Sequence, residues 1–305
     1  MASSAARQAF REYLDRRMAQ PRSARTTSSA SKPTTSASAG SSAKAVTPPA
    51  VTRPRGAGVW HAYQVRMRDG WESQARNWAE FARAPGYDRS HEDINLPALL
   101  DLLPPPGRRT LDLGCGEGRL GRLLRSLGHR VAGVDAAPTM VRLAASHEAA
   151  PPALLADAAA LPFRDEAFDL VVAYMSLHDM DQMPGAVAES ARVLERGGRL
   201  CLAIPHPVNS AGSFQARDGA APFTIAGSYL DPAPDDWVGE WGGIRVAFHS
   251  EHRPLEAYGR ALEAAGLLIE ALREPKAPDE LIVRDPAARR WQRIPMFLHA
   301  RAVKP

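Results

Sequence analysis

The residues best placed to do chemistry lie in Leu111-Asp112-Leu113-Gly114-Cys115-Gly116-Glu117-Gly118-Arg119. An apolar run leads straight into glycines at 114, 116 and 118. Such a turn lets a ligand approach backbone where a side chain would stand in the way. Three carboxylates surround it: Asp112 inside the run, Asp135 after Val131–Val134, and Asp157 after Leu154–Ala156. If those runs are neighbouring strands, their ends share one rim of a sheet. Asp135 stands 21 positions after Gly114, where a carboxylate can accept both hydroxyls of a ribose. Asp157 suits an adenine amine, and Asp112 could orient the turn or an amino group. The bland alternative is a set of ordinary strand-end turn residues. Three acids at successive strand ends beside a glycine turn favour a site.

Two ligands compete for this geometry. A dinucleotide site wants Gly-x-Gly-x-x-Gly, with pyrophosphate on the helix N-terminus. Counted from Gly114, its third glycine would be residue 119, which is Arg119. S-adenosylmethionine carries no phosphate and bears a positive sulfonium, so it needs acids instead.

At this point the chain resembles the class I, Rossmann-like S-adenosylmethionine-dependent methyltransferases. Leu111–Arg119 resembles their first motif, and Gly133-Val134-Asp135-Ala136-Ala137-Pro138-Thr139-Met140 their second-strand acid and following helix. Asp157-Ala158 with Leu161-Pro162-Phe163 resembles the adenine-side segment, and Phe168–Val172 the fourth-strand motif. Val193–Leu200 resembles the turn into strand five, with Glu195-Arg196 where Lys-Pro is usual. The resemblance is strong over 109–205, weaker over 253–272, and closest to ubiquinone-biosynthesis-like small-molecule enzymes. It implies an α/β fold: a doubly wound, mostly parallel seven-stranded sheet with helices on both faces and Met296–Val303 reversed. It also implies cofactor contacts from Asp112, Gly114, Cys115, Gly116, Gly118, Asp135, Ala136, Met140, Asp157, Ala158 and Tyr174.

Methyl transfer is an in-line displacement, so holding the partners aligned is the main task. A base is needed only for an unionised hydroxyl or a weakly acidic carbon. His178 and His206 follow the fourth and fifth strands and are the candidate catalytic bases. For each, the alternative is a lining or loop-forming role. Tyr174 suits the border of the methionine half. Ala173-Tyr174-Met175-Ser176 lacks the Asn/Asp-Pro-Pro-Tyr/Phe pattern of nucleic-acid amino-methylases. Asp179 and Asp181 lack further carboxylates for magnesium, and His249 and His252 lack a partner pair at zinc spacing, so no metal is expected.

The elements that must position these residues alternate. Strands are expected at Thr110–Leu113, Val131–Val134, Leu154–Ala156, Phe168–Ala173, Arg199–Ile204, Leu267–Leu272 and Met296–Val303. Helices are expected at Leu120–Leu127, Pro138 to about Glu148, Pro184–Leu194 (ended by Gly197-Gly198) and Leu255–Ala265. That rhythm implies a parallel sheet covered on both faces. Residues 58–107 form a helical cover, 108–204 the cofactor-binding core, 205–254 an irregular lid or acceptor insertion, and 255–305 the last strands and helix. The lid aromatics, with Trp71, Trp78 and Tyr87 of the cover, suit either a planar acceptor or plain packing.

Residues 1–57 read as a disordered basic tail with a short helix at Ala5–Met18. They hold ten of the 38 basic and two of the 34 acidic residues, which leaves 58–305 acidic by four charges. That is the wrong sign for tracking phosphates, so no nucleic-acid partner is expected. No apolar run is long enough to span a membrane. Two cysteines, Cys115 and Cys201, suggest a reducing compartment. The expectation is a cytoplasmic enzyme, or an organellar one if the tail is a transit peptide. It would methylate O, N or C of a small metabolite. The rivals are an enzyme acting on RNA or protein, and a cofactor-binding module that has lost catalysis.

Overall fold

The computed structural model describes residues 67–305. The tail at 1–57 and its helix lie outside the described residues. Seven strands form one sheet: β1 (Thr110–Leu113), β2 (Val131–Asp135), β3 (Ala153–Leu155), β4 (Phe168–Tyr174), β5 (Leu194–Pro205), β12 (Leu268–Arg273) and β13 (Phe297–Val303). Their order is β12-β13-β5-β4-β1-β2-β3. β13 runs antiparallel to both β5 and β12, and the other pairings are parallel. All seven expected strands are present, including the reversed one. The order turns back between β1 and β4, which makes their C-terminal ends the switch point where ligands bind in such sheets.

Strand periodicity divides the core into two layers. Leu111, Leu113, Val171 and Ala173 face the layer covered by α5 (Met183–Val193) and α7 (Leu255–Ala264). Leu170, Val172 and Tyr174 face the other layer, with Leu120, Leu123 and Leu124 of α3 (Arg119–Ser126) and Leu96 and Leu99 of α2 (Leu96–Leu102). The α3 helix stops where Gly128 takes φ +96°, and α7 where Gly266 takes φ +70°; a glycine there carries no Cβ penalty.

Three expectations need correction. The α4 helix (Pro138–Ala145) stops short of Glu148. Gly197-Gly198 do not end a helix: α5 stops at Val193 and β5 begins at Leu194, with the glycines inside an irregular start to the β4–β5 pairing. The 205–254 segment is not irregular. A short helix, α6 (Pro207–Ala211), leads into β6 (Gly212–Phe214) paired with β7 (Phe223–Ile225). Then β8 (Ala233–Pro234) pairs with β11 (Glu251–His252), and β9 (Trp237–Trp241) with β10 (Ile244–Phe248). The β9–β10 hairpin turns at Gly242-Gly243, both with positive φ, the backbone that two-residue hairpin loops demand. The sequence reading also passed over α8 (Asp279–Arg284), whose Leu281 and Ile282 pack with Ile94 and Phe297.

Among the described residues of the 58–107 segment come α1 (Met67–Arg83) and a π-helical turn at His91–Asn95, while 58–66 lie outside the described residues. Aromatic rings fasten α1 to the β9–β10 hairpin. Trp237 stacks on Phe248 at 3.8 Å, Phe81 lies 4.4 Å from Trp241, and Trp71 and Trp78 both set their edges against Phe248. These side chains join the 205–254 segment to α1.

Stability should therefore rest on the sheet centre rather than its edge. Leu200→Ala, at a fully buried site on β5, should lower the unfolding free energy by about 2–5 kcal/mol in denaturant titration. Leu268→Ala, at an edge position 60% exposed, should change it by less than about 0.5 kcal/mol.

Candidate functional site

The turn after β1 is built from three left-handed glycines: Gly114 (φ 72°), Gly116 (φ 54°) and Gly118 (φ 85°). Gly114 N–H and Cys115 N–H both donate to Val134 O, at 2.9 Å, which ties the turn to β2. A Cβ at Gly114 would stand 2.5 Å from Ser176 Cβ, and Ser176 Oγ donates back to Leu113 O at 2.7 Å. The Gly114 side is therefore closed. The Gly116 side is open: a Cβ there would meet only Trp78 Nε1, at 3.8 Å.

Asp135 closes the cradle. One carboxylate oxygen accepts from Gly116 N–H at 2.8 Å and the other from Ala137 N–H at 2.9 Å. A carboxylate has about four acceptor positions, so these two bonds do not exhaust it. Burial raises its pKa. Asp112 is fully buried, and its Oδ2 has no hydrogen-bond partner. Burial, then the charge of Asp135, push its pKa up to about 7. Asp157 is exposed, with Oδ1 accepting from Ala159 N–H, and Ala158 packs on the core. Met140 is buried beside Ala137 and Ala75 of α1, while Ala136 is half-buried after Asp135. The Cys115 thiol is buried, and burial drives its pKa well up. Its sulfur would lie 2.9 Å from a Cβ at Gly133, so that position also requires glycine.

This donor set fits S-adenosylmethionine. It offers an open glycine face and a pre-tied acid at the ribose position. Two acids at one rim repel phosphate and welcome a cation.

The sequence reading missed the roof over this rim. Glu72 of α1 accepts from Thr139 N–H at 2.8 Å and Thr139 Oγ1 at 2.6 Å, which clamps α1 onto the start of α4. Arg119 pairs with Asp88 at 2.9 Å and lies 5.2 Å from the centre of the Trp78 ring. Tyr174 OH is 2.7 Å from His91 Nδ1 in the π-turn. The available signals were aromatic residues spaced along a polar helix, and an arginine where one ligand class would require glycine.

His178 and His206 both lie at the strand ends, in different settings. His178 is buried, with Nε2 3.3 Å from Asp179 Oδ1. Burial, then the nearby Arg253 guanidinium, push its pKa down to about 3. Burial also drives the Asp179 carboxyl well up. Arg253 ties the segment down through His178 O at 3.4 Å and Met180 O at 2.8 Å. His206 is the N-cap of α6: Nδ1 accepts from Val208 N–H at 3.1 Å, and Nε2 lies 2.8 Å from Glu274 Oε1. Both of its ring nitrogens are thus engaged. A cavity of about 940 Å³ lies at the opposite end of the strands beside Arg109, Arg130 and Phe163. It is separate from this rim, which α1 covers.

The raised pKa of Asp112 has a measurable consequence. The folded chain binds this proton more tightly than the unfolded chain. Its stabilisation is therefore complete below about pH 4 and is lost as pH rises through about 7, at up to about 1.4 kcal/mol per pH unit. Denaturant titration should find Asp112→Asn and wild type closer in stability at pH 5 than at pH 8, with the variant favoured at pH 8.

Comparisons with known proteins agree with this fold. Residues 111–202 match a family profile described as a methyltransferase domain. The chain is 36% identical over 139 residues to a malonyl-[acyl-carrier protein] O-methyltransferase of Serratia marcescens, covering 44% of this chain and 53% of that protein. It is 37% identical over 123 residues to an uncharacterized methyltransferase of Mycobacterium tuberculosis, covering 40% and 50%. The chain thus spans about half the length of these curated relatives. An S-adenosylmethionine-dependent methyltransferase from Mesorhizobium loti has a similar structure: TM-score 0.57, 26% identity, 68% of this chain and 96% of that one. Motif, strand order, glycine cradle and relatives converge on a methyltransferase domain over residues 111–202, set in a sheet similar to that of an S-adenosylmethionine-dependent methyltransferase.

Proposed function

We propose that this chain transfers a methyl group from S-adenosylmethionine to O, N or C of a small-molecule metabolite. The reading rests on the open face of Gly116 beside the tied carboxylate of Asp135. Asp135 would take the ribose hydroxyls, Asp157 with Ala158 the adenine edge, and Tyr174 the border of the methionine half. Gly114, Gly118, Cys115, Ala136 and Met140 shape the walls. When bound, the cofactor supplies an electrophilic methyl on a good leaving group. The chain must then align the acceptor and exclude water. The aromatic joint between α1 and the β9–β10 hairpin supports the second task.

The state of His178 narrows the acceptor. A histidine with a pKa near 3 is too weak a base to take a hydroxyl proton at neutral pH. This favours an acceptor atom that is already nucleophilic, of which a carboxylate oxygen is the simplest. The Serratia marcescens relative is named an O-methyltransferase of malonyl-[acyl-carrier protein], and a malonyl group ends in a free carboxylate. That supports a second reading, in which the carboxylate arrives on a carrier protein.

The test is an acceptor panel of free acids, carrier-bound acyl acids, phenols and amines, read by mass spectrometry for one added methyl and for S-adenosylhomocysteine. Methyl esters from free acids support the first reading, and esters only from carrier-bound acids the second. No product from any acceptor, with cofactor bound, would leave a binding module. Asp135→Ala should weaken cofactor binding by at least about tenfold. His178→Gln should lower kcat less than about tenfold on a carboxylate acceptor; a loss of 10²–10⁴-fold would mark it as the base.

A further inference from the structure

The roof over the glycine turn holds a buried cation with one donor unused. Arg119 opens α3, directly after the glycine turn, and only 12% of its side chain is exposed. Its Nη2 donates to Asp88 Oδ2 at 2.9 Å, and Trp78 lies 5.2 Å from the guanidinium. Its Nη1 is buried and has no hydrogen-bond partner among the described residues. Buried guanidinium N–H groups without acceptors are rare, and each calls for an explanation.

The surroundings say what the acceptor should be. Trp78 links Arg119 to the open side of Gly116, since the same indole is the nearest atom to a Cβ there. The sheet order β4-β1-β2-β3 gives the rim a direction. With adenine toward Asp157 on the β3 side and ribose at Asp135 on β2, the rest of the cofactor extends toward β1 and β4, where Arg119 stands. That end of the cofactor has one anionic group.

We infer that Arg119 binds the α-carboxylate of the methionine half, with Asp88 and the cofactor sharing the two edges of one guanidinium. This rests on the reading of the site as one for S-adenosylmethionine. Asp88 acts as a positioning residue: it holds the fork so that Nη1 faces the rim. A planar fork can serve two carboxylates at once, which a lysine ammonium cannot do with the same geometry.

The test is a cycle across protein and ligand, read by calorimetric titration without acceptor. The ligands are S-adenosylhomocysteine and its decarboxylated analogue, identical except for hydrogen in place of the carboxylate. Wild type should bind the first at least about tenfold more tightly than the second. Arg119→Gln should lose that preference by weakening S-adenosylhomocysteine alone, leaving affinity for the analogue unchanged. Equal weakening of both ligands, or a preference that survives in Arg119→Gln, overturns the assignment. An unchanged affinity for S-adenosylhomocysteine overturns it too, and turns the free N–H over to the acceptor. If Arg119→Gln fails to fold because Asp88 loses its partner, Arg119→Lys carries the same test: the preference must shrink. Wild type that binds neither ligand refutes the cofactor reading itself, a result distinct from failure of the Arg119 assignment.

Discussion

Two carboxylates held close together at the end of a sheet are what the rest of this molecule is arranged around. Asp112 is shut inside β1 with one oxygen unpartnered, and Asp135 ties the glycine turn through Gly116 N–H. Burial and mutual repulsion push the Asp112 pKa to about 7. Bringing a positive charge to this rim relieves that repulsion. A sulfonium and an ammonium supply it, whereas a pyrophosphate would add to the strain. The same constraint explains why residue 119 need not be glycine: no phosphate has to approach the helix there, so the position is free for an arginine that answers a different group.

The neighbouring strands, the turn and the roof hold those acids in place. β1 sits between β2 and β4, with Asp112 opposite Gly133 and Val172. The Ser176–Gly114 contact blocks one side of the turn. The roof is fastened twice. Polar bonds run from Glu72 to Thr139 and from Arg119 to Asp88, and the aromatic joint runs from α1 to the β9–β10 hairpin. Strand ends thus supply the cofactor rim, while elements inserted before β1 and after β5 supply its cover.

The core was legible because its signals are local. Four-to-seven-residue apolar runs ending in Asp or Gly report strands and their rim, and Asp112, Asp135 and the three glycines fell where their spacing said. The roof was not legible. The pairs of Asp88 with Arg119 and of His91 with Tyr174 join residues 31 and 83 positions apart, and no periodicity announces such a pair. The hairpins of 205–254 were hidden because their strands are two to five residues long, too short for alternation to stand out from loop composition. That both ring nitrogens of His206 are engaged was not legible either, because its neighbours, not its own type, decide it.

The central claim is that the rim takes S-adenosylmethionine rather than a dinucleotide. Calorimetric titration of the wild-type chain with each ligand in turn tests it most directly. The account predicts saturable micromolar binding of S-adenosylmethionine and none of NAD at the same concentrations. Preferential binding of NAD, or no binding of S-adenosylmethionine to the folded chain, would contradict it.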